Sequence, residues 1–275
     1  MLIDYHVHST YSDDSNYEME DVIQDAINLG IEELVFTDHV DYGVKVDVGE
    51  TPLKLYKGKP FMNVDYPNYF KEITHLQKKY KDQITIKKGL EFGMQKHTID
   101  RFQKLFDQYD LDFVLLSVHQ IDDLEFWLGD YQKDKTTLEI YNGYYDELYE
   151  IIQNYDDYSC LAHFDLIRRY VDDKEDYFEQ TKDRIDLILN HLIKHNKGIE
   201  INTSHVRYEI DDTTPSRKIL ERYLELGGTI ITIGSDSHKK EHLGFLIEES
   251  KAYLKEIGFK YFCTYDKMKP SFHAL

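Results

Sequence analysis

Six of the histidines in this chain stand in short motifs, four of them with an acid or with each other, whose residue types can hold metal ions. The motifs are His6-Val7-His8, Thr37-Asp38-His39, Gly89-Leu90-Glu91, Ser117-Val118-His119, Ala162-His163 and Gly234-Ser235-Asp236-Ser237-His238, with Asp13 a few residues after the first. In His6-x-His8 and Asp236-x-His238 the two-residue period of a strand turns both side chains to the same side. Imidazole and carboxylate together suit Zn, Mn or Fe better than Ca, which prefers an all-oxygen shell. Nine donors (His6, His8, Asp13, His39, Glu91, His119, His163, Asp236 and His238) are too many for one ion. They suffice for two or three divalent ions that share a carboxylate, which points to a hydrolytic centre. Taken singly, each has a structural explanation: a lone histidine is more often a hydrogen-bonded core residue, Glu91 could be a buried ion-pair partner and Asp13 a turn acid. Their joint placement is what asks for chemistry.

The elements that must position them alternate between short β-branched runs and helical patterns, which argues for a parallel sheet with helical crossovers. Strands are expected at Leu2–His6, Leu34–Thr37, Ile84–Phe92, Phe113–Val118, Ser159–His163, Gly198–Asn202 and Thr229–Ile233, with a weaker one at Lys260–Thr264. Met19, Val22, Ile23, Ala26 and Ile27 fall on one helical face before Gly30, a C-terminal cap. Ile185, Ile188, Leu189, Leu192 and Ile193 repeat the pattern. Thr214-Pro215 reads as the N-cap and first residue of another helix. Six of the seven stronger strands carry a potential ligand at one end, and in a closed parallel barrel those C-terminal ends converge on one mouth. The expected organisation is a single domain over 1–275, with an irregular insertion at about 40–66 that suits a functional loop or a surface excursion equally well.

Composition narrows the function classes. With 33 Lys and Arg against 52 Asp and Glu the net charge is −19, and no basic cluster interleaved with aromatics offers a groove for nucleic acid. No apolar run is long enough to cross a bilayer, and the N-terminus lacks the pattern of a secretory leader, so a cytoplasmic protein without membrane partners is expected. The two cysteines, Cys160 and Cys263, are too few for a disulfide framework.

With these residues in place the sequence resembles the PHP family, named for polymerase and histidinol phosphatase, and within it the histidinol-phosphate phosphatase branch. The likeness is carried by residues 6–13 (His-Val-His-Ser-Thr-Tyr-Ser-Asp), 37–39, 89–91, 117–119, 163–169 (His-Phe-Asp-Leu-Ile-Arg-Arg), 200–204 (Glu-Ile-Asn-Thr-Ser) and 234–238. It implies an α/β fold, a distorted (β/α)7 TIM-like barrel, with a trinuclear centre. One ion would take His6, His8, Glu91 and Asp236, a second Asp13, His39 and His238, and a third Glu91, His119 and His163, with Glu91 as bridge.

The implied reaction is hydrolysis of L-histidinol phosphate, a small phosphomonoester, to L-histidinol and phosphate in histidine biosynthesis. Ions of this kind make a water nucleophile available at neutral pH. Arg168 and Arg207, each just past a strand end, are the expected cationic partners of the phosphate, and His205, Asp165 or a water the proton donor to the leaving group. Two other readings stand beside this one: a PHP-type phosphoesterase of different specificity, such as an exonuclease, and a noncatalytic metal-binding regulator. The oligomeric state is left open.

Overall fold

The computed structural model describes residues 1–56, 58–173 and 176–275. Seven parallel strands follow in chain order: β1 (Ile3–Val7), β2 (Glu33–Phe36), β3 (Thr85–Gly93), β4 (Phe113–Ser117), β5 (Cys160–Leu161), β6 (Gly198–Asn202) and β7 (Ile231–Gly234). The helices are α1 (Met19–Leu29), α2 (Tyr66–Lys79), α3 (Ile99–Phe106), α4 (Thr137–Asn154), α5 (Phe178–Lys194), α6 (Arg217–Glu225) and α7 (Ile247–Ile257). Each strand pairs with the next in sequence order. The two ends of the sheet meet just past the strands, where His8 N donates to the Ser237 carbonyl (2.8 Å) and Ser237 N to that of His6 (3.2 Å). The result is the distorted (β/α)7 barrel that the family resemblance implies.

Continuous apolar strands of this kind are buried on both faces. Every residue of β1, β2, β4, β6 and β7 is buried, and the apolar faces of the helices close over the outside in one core cluster. Helix α1 shows how: Met19, Val22, Ile23 and Ala26 are its buried residues, and the N–H of Gly30, at φ 78°, caps the carbonyls of Ala26 and Ile27.

One expectation needs correction. The Thr214-Pro215 pair does not open a helix; α6 begins at Arg217 after Ser216. Thr214 instead pairs with the end of β6, its carbonyl accepting from Asn202 N at 2.7 Å, and Ser216 N is held by Asp165 at 2.9 Å. The weak strand near Lys260–Thr264 is real as β8 (Tyr261–Asp266), but it forms an antiparallel hairpin with β9 (Lys269–Ala274) outside the barrel path. In the 40–66 segment a small antiparallel ribbon, Leu55–Tyr56 with Lys59–Pro60, forms near the barrel mouth.

Candidate metal centre

The mouth is built from strand ends. His6 and His8 leave β1 on one side, both fully buried. His39 sits in a two-residue strand paired with β3, in register with Glu91. His119 and His163 follow β4 and β5, and Asp236 and His238 follow β7. Between β1 and α1 the chain is tied by Asp38, whose carboxylate accepts from Ser9 N (2.7 Å), Ser9 Oγ (2.9 Å) and Ser12 Oγ (2.8 Å). This knot aims the Asp13-Asp14 turn at the mouth.

Glu91 lies at the centre. Its Oε2 is 3.2 Å from His6 Nε2, 3.6 Å from His8 Nε2 and 2.9 Å from His39 Nδ1. Its Oε1 is 3.2 Å from His119 Nε2 and 2.8 Å from His163 Nε2. Asp236 Oδ1 lies 3.6 Å from His6 Nε2, 3.5 Å from His8 Nε2 and 3.6 Å from His238 Nδ1. Asp14 Oδ2 completes the set, 3.1 Å from His238 Nε2 and 3.6 Å from His39 Nε2.

Donors this close suit divalent ions, because ligands about 2.0–2.2 Å from one ion lie roughly 3 Å or a little more from each other. A second observation agrees. His8 Nε2, His39 Nδ1 and His238 Nε2 are buried and make no hydrogen bond, although carboxylate oxygens are near. Buried polar nitrogens without partners are costly unless a ligand takes them, so the residues present fit divalent transition-metal ions.

Behind the ligands stand carboxylates that fix ring orientation. His6 Nδ1 donates to Glu200 Oε1 at 2.7 Å, and Glu200 Oε2 accepts from His163 N at 2.9 Å. His119 Nδ1 donates to Asp41 Oδ1 at 2.8 Å, while Asp41 Oδ2 pairs with Lys45 Nζ at 3.0 Å. Such partners set the tautomer and raise ligand basicity. Two glycines make room for them. A Cβ on Gly93 would lie 1.9 Å from Asp41 Oδ1 and 2.7 Å from His119 Nδ1, and one on Gly234 would lie 2.3 Å from His6 Cβ and 2.4 Å from Glu200 Oε1. His163 and Asp236 are held at positive φ, 24° and 56°. Conformations of this type cost about 1–3 kcal/mol each and persist where surrounding contacts impose them.

The electrostatics follow from the crowding. Burial opposes charge on Glu91 and Asp236, but His6 and the other neighbouring cations outweigh it and hold both carboxyls well below their usual range. Burial likewise opposes the charge of Asp14, and His238 and His39 reverse it. For His119 burial lowers and Glu91 with Asp41 raises, leaving its pKa at about 9. His8, buried beside His238 and His39, is pushed well below the ordinary histidine value.

Several sequence expectations are placed elsewhere. Asp13 points away from His39 and His238 to form an ion pair with Lys45, so its neighbour Asp14 stands at the histidines instead. Arg168 does not face the mouth: it donates to Asp165 Oδ2 (3.0 Å) and the Thr213 carbonyl (3.1 Å) in a separate crevice between α5 and α6. Its neighbour Arg169 is the arginine in the cleft. Almost wholly buried, it approaches Asp236 Oδ2 at 3.4 Å, donates to Ser204 Oγ at 2.5 Å and stacks over Tyr208 at 4.3 Å. Arg207 Nη2 donates to the carbonyls of Ser235 (2.8 Å) and Asp236 (2.9 Å), bracing the β7 turn, while its Nη1 is buried without a partner. Asp165 is buried against Arg168 and Ser216, and His205 Nδ1 faces the Asn202 carbonyl at 3.4 Å. Neither lines the cleft. Arg168–Arg169 and Arg207 lie in 3-10 turns, Leu166–Tyr170 and Thr203–Tyr208, where adjacent side chains diverge by about a third of a turn. No residue type distinguishes which arginine faces in.

Above the ligands opens a cleft of about 340 Å³. Arg169, Lys45 and Asp13 line its polar part, and Tyr56, Phe61 and Trp127 its outer part, with Glu125 beside them accepting from Trp127 Nε1 at 3.0 Å. The 40–66 segment therefore supplies cleft wall through Val44, Lys45, Tyr56 and Phe61.

A seven-stranded α/β barrel with histidines and carboxylates converging at its C-terminal mouth defines a metal-dependent hydrolase-type site. The sequence matches the PHP domain model over residues 4–204, and the chain belongs to the PHP family. It is 32% identical to the histidinol-phosphatase of Lactococcus lactis over 272 residues, covering 97% of this chain and 95% of that protein. It is 31% identical to a probable histidinol-phosphatase of Clostridium acetobutylicum over 266 residues, 94% of this chain and 95% of that one. The crystal structure of the Lactococcus lactis histidinol phosphate phosphatase, complexed with zinc, L-histidinol and phosphate, superposes with a TM-score of 0.84 over 98% of both chains at 31% identity. Among the described residues no helix is long and apolar enough to cross a membrane.

Proposed function

We propose that the chain is a metal-dependent phosphomonoesterase that hydrolyses L-histidinol phosphate to L-histidinol and phosphate. The observation that carries this reading is the convergence of His6, His8, His39, His119, His163 and His238 on Glu91, Asp236 and Asp14, in a chain alike throughout its length to a histidinol-phosphatase whose structure holds zinc, L-histidinol and phosphate. Two or three divalent ions, of zinc, manganese or iron, are the proposed complement. Held by these ligands, they supply Lewis acidity that lowers the pKa of water and offsets phosphate charge.

The chain's own groups do the rest. Glu91, set between five imidazoles, is the proposed shared carboxylate. Glu200 and Asp41 keep His6 and His119 in the tautomers that present Nε2 to the centre. Arg169 offers a planar, permanently charged fork at the floor of the cleft for the phosphate oxygens, and its preorganised position favours the transition state, where charge spreads over the equatorial oxygens. Tyr56, Phe61 and Trp127 suit a flat imidazole, with Glu125 and Asp13, ion-paired to Lys54 and Lys45, beside them. With Asp165 and His205 outside the cleft, water at the open mouth is the proposed proton source for the alkoxide.

The test is phosphate release by purified, metal-loaded protein. L-histidinol phosphate should be cleaved with a kcat/KM well above that for other small phosphomonoesters. Good cleavage of those with none of histidinol phosphate would reduce the reading to phosphatase alone. Degradation of single-stranded DNA would favour the nuclease alternative, and inertness toward all of them the noncatalytic one.

A further inference from the structure

We propose a second metal site, for one divalent transition ion, at the opposite end of the barrel, formed by His191, His195 and Asp156. The two histidines lie one turn apart at the end of α5, their rings stacked at 4.1 Å and within 10° of parallel. Asp156, in the loop between α4 and β5, brings Oδ1 to 3.3 Å from His195 Nδ1. One donor atom from each residue lies within 4.8 Å of the other two. Small side-chain rotations bring such atoms to the roughly 3 Å spacing of donors on one ion.

Two further features favour a cation here. His191 Nε2 is covered and makes no well-formed hydrogen bond, although the ring lies against the Ile152 backbone. Lys197, which would otherwise neutralise the acid, is turned to the carbonyls of Asp156 (2.5 Å) and Tyr158 (2.8 Å). Lys194 and the ammonium of Lys197 oppose a cation; the net charge of −19 draws one. Two imidazoles with one carboxylate select zinc, nickel or copper over magnesium and calcium.

The position assigns the ion a role. Asp156 precedes β5 and His195 precedes β6, so a bound ion clamps the starts of two neighbouring barrel strands, at the end opposite the one that carries His163 and Asn202. That end of a barrel serves stability, not catalysis, and an ion bound only by the folded chain raises stability by mass action.

The experiment adds zinc to protein whose catalytic centre is already saturated, measuring bound zinc by equilibrium dialysis and the midpoint of thermal unfolding. The intact chain should take up one further equivalent with a saturable rise in Tm. His191→Ala and His195→Ala should each weaken that uptake at least ~10-fold and remove the Tm rise, with phosphate release unchanged. His97→Ala, which removes a histidine paired with Asp123 on another surface, should behave as the intact chain. Copper(II) in the same site should show hyperfine coupling to two nitrogens, reduced to one in either variant. Equal zinc uptake and equal Tm response in the intact chain and both variants would overturn the proposal, as would equal loss on His97→Ala.

Discussion

The strand ends and the two 3-10 turns flanking them behave differently under the same physical reading. At the strand ends, side-chain direction alternates with a period of two, so His6 with His8 and Glu91 with its neighbours are aimed by the sheet itself. In the turns at Leu166–Tyr170 and Thr203–Tyr208, adjacent side chains diverge, and only tertiary contacts decide which one enters the cleft. The contrast predicts that substitutions at strand ends remove ions and activity together, while substitutions in the turns separate activity from stability residue by residue.

The largest effect is expected for Glu91→Gln. It removes the charge shared among five imidazoles, so turnover should fall by at least about 10³-fold, with a loss of bound metal measured on the same sample. Near-normal activity would show that Glu91 is not shared. Next comes the arginine pair. Arg169→Ala should lower kcat/KM by about 10²–10³-fold, the scale of a lost charge-stabilising donor. Arg168→Ala should leave catalysis nearly intact and instead lower stability by about 3 kcal/mol, because it strands the buried Asp165 carboxylate. Equal kinetic damage from both would erase the distinction between the turns.

A smaller effect, about 10–100-fold in metal affinity, is expected for Glu200→Gln, which leaves the ligands in place but loosens the His6 ring. Asp14→Asn should weaken metal binding more than Asp13→Asn, since Asp14 faces His39 and His238 while Asp13 is paired to Lys45. The reverse order would return Asp13 to the centre.

The smallest effect is the pH dependence of protein stripped of metal by a chelator. His119 has a folded pKa of about 9, above its unfolded value of 6.5, and His6 and His39 are raised in the same direction. The His119 contribution to stability is fully present below pH 6.5 and is lost as pH rises through about 9, and those of His6 and His39 are likewise lost with rising pH. Chemical unfolding of stripped protein should therefore show lower stability at pH 9.5 than at pH 6.5. Metal affinity should rise over the same window, because ligation competes with protons.

The same contrast explains what could be read from the sequence. Periodicity located all seven barrel strands to within a few residues, because buried parallel strands are short apolar runs bounded by turns. The histidine and acid motifs at their ends were legible for the same reason. Asp14 was not separable from Asp13, since the Asp38 knot that orients the turn is made by Ser9 and Ser12 across the chain. Glu200 and Asp41 became visible only with the fold, because each meets its histidine across a long sequence separation. Arg207 follows a strand as expected, yet its Nη2 braces two carbonyls, a use that residue type does not announce.

The central claim is that Glu91 joins the histidines of the mouth into one polynuclear metal centre. Its most direct test is metal content per chain for the intact protein and Glu91→Gln, purified side by side and dialysed against the same buffered zinc. The account predicts two or three catalytic ions in the intact protein and the loss of at least one in the variant; an unchanged metal content would contradict it.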